Sequence, residues 1–117
     1  MASKRTFPAL LLSVRDGDTI HCDIDLGFNV KLSNVSCRLL GLNTPELPTP
    51  EGIAATEHLK QLLSAVEPMT LIVEGKAWYD KYGRCLITIM KGETNINQRM
   101  IADGHASVMM KMEMTDD

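Results

Sequence analysis

The chain has 117 residues, 44% of them hydrophobic and 23% charged, with a net charge of −3 at neutral pH. That length suits one domain with a modest core, and the composition excludes disordered and fibrous architectures. The acidic balance excludes a surface that grips nucleic acid everywhere by neutralising phosphates, so any polyanion binding must be local.

Residues 7–14 form an apolar run too short for a stable helix, and Asp16-Gly17-Asp18 after it is a hairpin turn signal. Lys4-Arg5 ahead of the run imitates the start of a signal peptide. Pro8 interrupts the run, however, and no small-residue cleavage site follows it, so the segment reads as a first strand and the protein as cytoplasmic. Ile20, Cys22, Ile24 and Leu26 then alternate with Thr19, His21, Asp23 and Asp25, the period of two of a half-buried strand. Gly27 punctuates, and residues 28–42 read as a third, bent strand with a bulge or turn at Ser33-Asn34, where the apolar parity changes.

Thr49-Pro50-Glu51 supplies an N-cap, a first-turn proline and an acid at the positive end of a helix dipole. The helix is predicted over residues 51–65, with Leu59, Leu62, Leu63 and Val66 on its apolar face. Residues 69–73 and 84–90 follow as two strands around a polar, glycine-containing loop. A short helix over residues 95–103 is capped by Thr94 or Asn95 and closed by Gly104, and residues 106–112 end the chain as a strand or extended tail. The class is mainly β with α (α+β). Five strands with a helix after the third suit a small closed barrel better than a parallel sheet, because strand and helix do not alternate.

Cys22, Cys37 and Cys85 are odd in number and widely spaced, which suits neither a zinc site nor a disulfide framework and reads as reduced, partly buried thiols of an intracellular protein. No stretch approaches the roughly 18 apolar residues of a membrane span. His21, His58 and His105 fall on unrelated segments and read as structural or exposed.

Three clusters carry chemistry: Val14-Arg15-Asp16-Gly17-Asp18-Thr19-Ile20, Cys37-Arg38-Leu39-Leu40-Gly41-Leu42-Asn43-Thr44-Pro45-Glu46, and Asp80-Lys81-Tyr82-Gly83-Arg84. Each has an ordinary reading alone: a hairpin turn, an edge arginine in an apolar strand, a solvated loop. In kind and order they resemble the signature blocks of the staphylococcal nuclease-like (thermonuclease) family, and Gly104-His105-Ala106 matches a further G-x-A near the end. The resemblance covers about residues 8–110 of a single domain, 1–117. It implies a five-stranded OB-fold barrel with one long helix after strand 3 and a short helix near the C-terminus.

The resemblance also implies roles. Asp18, Asn43 and the backbone carbonyl of Thr44 would hold a divalent cation, Ca²⁺ or another, since hard cations take oxygen ligands. Glu46 would act as general base toward water. Arg38 and Arg84 would grip the phosphate, a task that suits a planar fork of donors whose charge persists at neutral pH. Lys81 and Tyr82 would contact a neighbouring phosphate. The implied substrate is DNA or RNA.

Two departures stand out. The family's aspartate before Thr-Pro-Glu is Asn43, which keeps an oxygen but loses a charge; Asp16 would compensate through a bridging water. An aromatic that stacks on a base is replaced around Met109-Met110, and a final helix is absent from the pattern, which leaves self-association open. The alternative is an OB module that binds nucleic acid or protein without catalysis. Degenerate copies of that kind lose the arginines and the glutamate, which are present here.

Overall fold

The computed structural model describes residues 4–75 and 79–109. In chain order its elements are β1 (Lys4–Asp16), β2 (Thr19–Gly27), β3 (Val30–Leu39), β4 (Leu42–Asn43), α1 (Pro50–Leu63), β5 (Met69–Glu74), β6 (Cys85–Lys91), β7 (Thr94–Asn95), α2 (Ile96–Ala102) and β8 (Ser107–Val108). Five of these strands are long and run in the order β3-β2-β1-β5-β6, antiparallel throughout. Parallel pairing of Cys37, Arg38 and Leu39 with Cys85, Leu86 and Ile87 then joins β3 to β6 and closes the barrel. The predicted five-stranded OB-like barrel with two helices is the fold observed.

Alternation decides which side chains enter the barrel. Ile20, Cys22 and Ile24 of β2 are buried while His21 and Asp23 are only partly covered. Leu26, expected on the same inner face, is exposed because the β2–β3 hairpin runs past the barrel's end. The turn there is tighter than the sequence suggests: Gly27, Phe28 and Asn29 all have positive φ, so β3 begins only at Val30. The expected bulge is present. Cys22 faces Val35 and Ile24 faces Leu32, and Asn34, at φ 54°, donates its N–H to Asp23 Oδ1 at 2.8 Å.

Helix α1 starts as its caps dictate. The Thr49 hydroxyl accepts the Gly52 N–H at 3.0 Å, and Pro50 occupies the first turn. It ends earlier than predicted, at Leu63, so Val66 does not join the apolar face and is 97% exposed. Ala55, Leu59 and Leu63 plug the barrel beside Ile96 and Met100 of α2. Buried Asn97 of α2 accepts the Ile89 N–H and donates to the carbonyls of Ile87 and Leu40, tying α2 to β6 and to the turn before β4. Gly104, with φ 84°, ends that segment, and β8 returns to pair with β4, Leu42 opposite Val108 and Asn43 opposite Ser107. The rest of the expected final strand, residues 110–112, lies outside the described residues.

The three thiols, expected to be partly buried, are instead fully buried together. β2, β3 and β6 are neighbours, so the Sγ atoms of Cys22 and Cys37 lie 3.7 Å apart and Cys37 is the register partner of Cys85. Hydrogen bonding to those two thiols, with burial, pushes the Cys37 thiol far upward and keeps it protonated. No helix among the described residues is long and apolar enough to cross a membrane.

Candidate active site

The β1–β2 turn presents Asp18 at the barrel rim. Its N–H donates to Asp16 Oδ1 at 3.1 Å, the Thr19 hydroxyl donates to its own Oδ1 at 3.1 Å, and its carbonyl accepts the Leu39 N–H at 2.9 Å. Gly17 makes this placement feasible, because a Cβ there would sit 2.9 Å from both Ala55 Cβ and Thr44 Oγ1. Burial raises the Asp18 pKa, and so does neighbouring Asp16; the Arg38 guanidinium opposes them without prevailing.

Arg38 stands on β3 between Thr19 of β2 and Leu86 of β6. Its side chain is only 12% exposed, and three of its five N–H donors are engaged. Nη2 donates to Asn43 Oδ1 at 2.6 Å and to Asp18 Oδ2 at 3.4 Å, and Nη1 donates to the Leu39 carbonyl at 3.2 Å. The acid expected to hold a cation and the arginine expected to hold a phosphate are thus in direct contact. Asn43 is positioned by the β4–β8 pairing.

Arg84 comes from the loop that precedes β6. Asp80 organises that loop: its Oδ1 accepts the N–H groups of Tyr82 and Arg84 at 2.9 Å each, and its Oδ2 accepts from Arg84 Nε at 2.7 Å. Burial works against ionisation of Asp80, but these N–H donors and the guanidinium outweigh it and hold the carboxyl below the ordinary range. Tyr82 is exposed, with Lys81 Nζ and Arg84 Cζ at 5.4 and 5.3 Å from its ring centroid.

Glu46 follows Pro45 with an exposed side chain and a tightly held backbone. Its carbonyl accepts from both the hydroxyl and the N–H of Thr49, at 2.6 and 3.1 Å. Gly52 of α1 packs so close that a Cβ there would collide with the Glu46 carbonyl.

These elements enclose a cleft of about 450 Å³ whose walls include Asp16, Asp18, Arg38, Asn43, Thr44, Glu46 and Arg84. A second hollow of about 230 Å³ adjoins it, sharing Arg38, Asn43 and Arg84 and adding Lys81, Tyr82 and Asp80. Every residue to which the resemblance gave a role therefore lines one of two adjoining hollows. Arg15 and Leu47 line the first, and sequence reasoning assigned them nothing; Met109, noted only as standing where the family has an aromatic, lines the second. Asp80 and Gly52 were also missed as positioning residues. Asp80 sat inside a recognised block, whereas nothing local marks Gly52, a glycine within a helix whose reason is contact with another segment. Among the described residues no three His, Cys, Asp or Glu side chains group closely enough to form a metal site by themselves.

A family model described as staphylococcal nuclease homologue matches residues 36–117, which include Arg38, Asn43, Glu46 and Arg84 but not the Asp16-Gly17-Asp18 turn. The chain is also 33% identical over 109 residues to a Bacillus anthracis protein described as uncharacterized, a match that covers 88% of this chain and 48% of that protein. The chain thus spans about half the length of this curated relative.

Proposed function

Since this chain belongs to the staphylococcal nuclease family, we propose that it hydrolyses phosphodiester bonds of DNA or RNA with the help of a divalent cation. One observation carries the reading: Arg38, Arg84, the buried Asp18 and the exposed Glu46 line a single cleft of about 450 Å³. Hydrolysis needs a base for water, a grip on the anionic phosphate and countercharge for the transition state, and this cleft has a residue for each.

In this reading Glu46 takes the proton from the attacking water, its exposed carboxylate anchored through the Thr49 contacts to its backbone. Arg84 binds a phosphate oxygen while Asp80 fixes its orientation through Nε, which leaves the terminal nitrogens of the fork for substrate. Arg38 exchanges part of its contact with Asn43 and Asp18 for the phosphate. Lys81 and Tyr82 hold the neighbouring phosphate in the adjoining hollow. The oxygens of Asp18, Asn43 and Thr44, with Asp16 behind them, fit a hard cation such as Ca²⁺, which would polarise a phosphoryl oxygen when bound.

A second reading is favoured by the Arg38–Asn43 contact. With most of the guanidinium's donors turned inward and one charge fewer beside Asp18, the domain would bind nucleic acid or protein without cleaving it. A plasmid-nicking assay with Ca²⁺, Mg²⁺ or EDTA separates the two. Nicking that EDTA stops, and that Glu46→Gln lowers by about a hundredfold or more without unfolding the protein, supports the hydrolase. Binding without any nicking establishes the second reading.

A further inference from the structure

A linear polymer whose reacting linkage lies between Arg38 and Arg84 must leave the cleft on two sides. One side opens toward Lys81 and Tyr82. The other passes over Asn43, Thr44 and Pro45 into a third hollow of about 430 Å³, whose far wall is His105, Ala106 and Ser107. The β4–β8 pairing of Asn43 with Ser107 makes the two walls one unit, so this hollow keeps its place relative to the cleft.

One of the residues that line the third hollow, His105, is an aromatic held by its neighbours. His105 stacks on His58 of α1, with centroids 4.4 Å apart and planes at 27°. His58 Nε2 lies 2.7 Å from Asp103 Oδ2, which also accepts from Nε and Nη2 of Arg99 at 3.3 and 3.2 Å. The His105 N–H donates to the Met100 carbonyl at 3.0 Å, which ties its backbone to the end of α2. Ordering such a ring when substrate arrives costs little, since its stacking and backbone contacts already hold it.

We infer, building on the nuclease reading, that this third hollow receives the nucleotide on the side of the reacting phosphate away from Lys81 and Tyr82, with His105 as its base-stacking residue. A base must be unpaired to stack on a protein ring, so the probe for this subsite is a single strand. The His105–His58 stack and its Asp103 contact thereby gain a purpose beyond joining α1 to the end of α2.

The test is equilibrium binding by fluorescence anisotropy in EDTA, so that hydrolysis does not interfere. Two probes are compared: a labelled single-stranded oligonucleotide of roughly eight nucleotides, long enough to cross the domain, and thymidine 5′-monophosphate as its competitor. His105→Ala, and His105→Leu, which keeps an apolar contact with His58 but offers no ring, should each weaken oligonucleotide binding about tenfold and leave the mononucleotide unchanged. His105→Trp should retain or strengthen oligonucleotide binding. Equal losses for both probes would make the histidine stack a purely structural clasp and overturn the inference, as would an oligonucleotide affinity indifferent to all three changes. Protein that binds neither probe, in EDTA or with Ca²⁺ on a Glu46→Gln background, would remove the nuclease reading and this inference together, whereas normal wild-type binding untouched at His105 removes this inference alone.

Discussion

Arg38 Nη2 donates to Asn43 Oδ1 at 2.6 Å, the shortest contact the guanidinium makes within the candidate site. The same amide oxygen is the donor a hard cation would use, so a cation and Arg38 compete for Asn43. In Asn43→Asp the new carboxylate attracts both competitors. Coulomb attraction scales with charge, so a divalent cation gains about twice what the guanidinium gains. Calcium affinity measured by calorimetry should therefore tighten by about tenfold. Unchanged or weaker binding would show that residue 43 does not ligate the ion.

Asp80 and Asp18 should respond to pH in opposite senses. The folded pKa of Asp80 is depressed, so its stabilising contribution is present above the ordinary carboxylate value of about 3.9 and is lost as pH falls through the lower folded value. That of Asp18 is raised, so its stabilising contribution exists only below about 3.9 and is lost as pH rises through the higher folded value. At neutral pH Asp80→Asn should thus destabilise the protein, by up to about 1 kcal/mol once screening is allowed for, and Asp18→Asn should stabilise it. Both differences should shrink toward pH 3 in thermal melts. A neutral-pH melting temperature for Asp18→Asn at or below wild type would refute the claim that burial dominates at this carboxylate.

Gly52→Ala separates stability from site geometry. Alanine favours the α1 helix by about 1 kcal/mol over glycine, which offsets part of the collision between the new Cβ and the Glu46 carbonyl. The segment that carries Glu46 must then shift. A displacement of about 1 Å near reacting groups costs on the order of a hundredfold in rate, so kcat should fall steeply while the melting temperature moves by only a few degrees. A proportionate loss of both would mean that Gly52 serves packing alone.

Local chemistry made much of this protein legible in its residues. The alternation of Ile20, Cys22 and Ile24, the Thr49-Pro50 start of α1 and the cap of α2 each depend on neighbours a few positions away; the first two appear as read, and of the two caps offered, Thr94 or Asn95, it is Asn95 that serves. The candidate site residues were legible for a related reason: turns and caps hold Asp18, Glu46 and Arg84 within short blocks of sequence. Tertiary structure alone decided what those blocks meet. The Arg38–Asp18 pair spans 20 positions and the Asn97–Leu40 hydrogen bond 57, distances over which no periodicity carries information. The β3–β6 closure brought Cys37 beside Cys85 and placed Arg38 in line with Leu86. Where the chain leaves the barrel, local pattern misled, and Leu26 and Val66 kept their apolar character but lost the core that would have covered them. Periodicity states which face a residue occupies, and only the packed partner determines whether that face is buried.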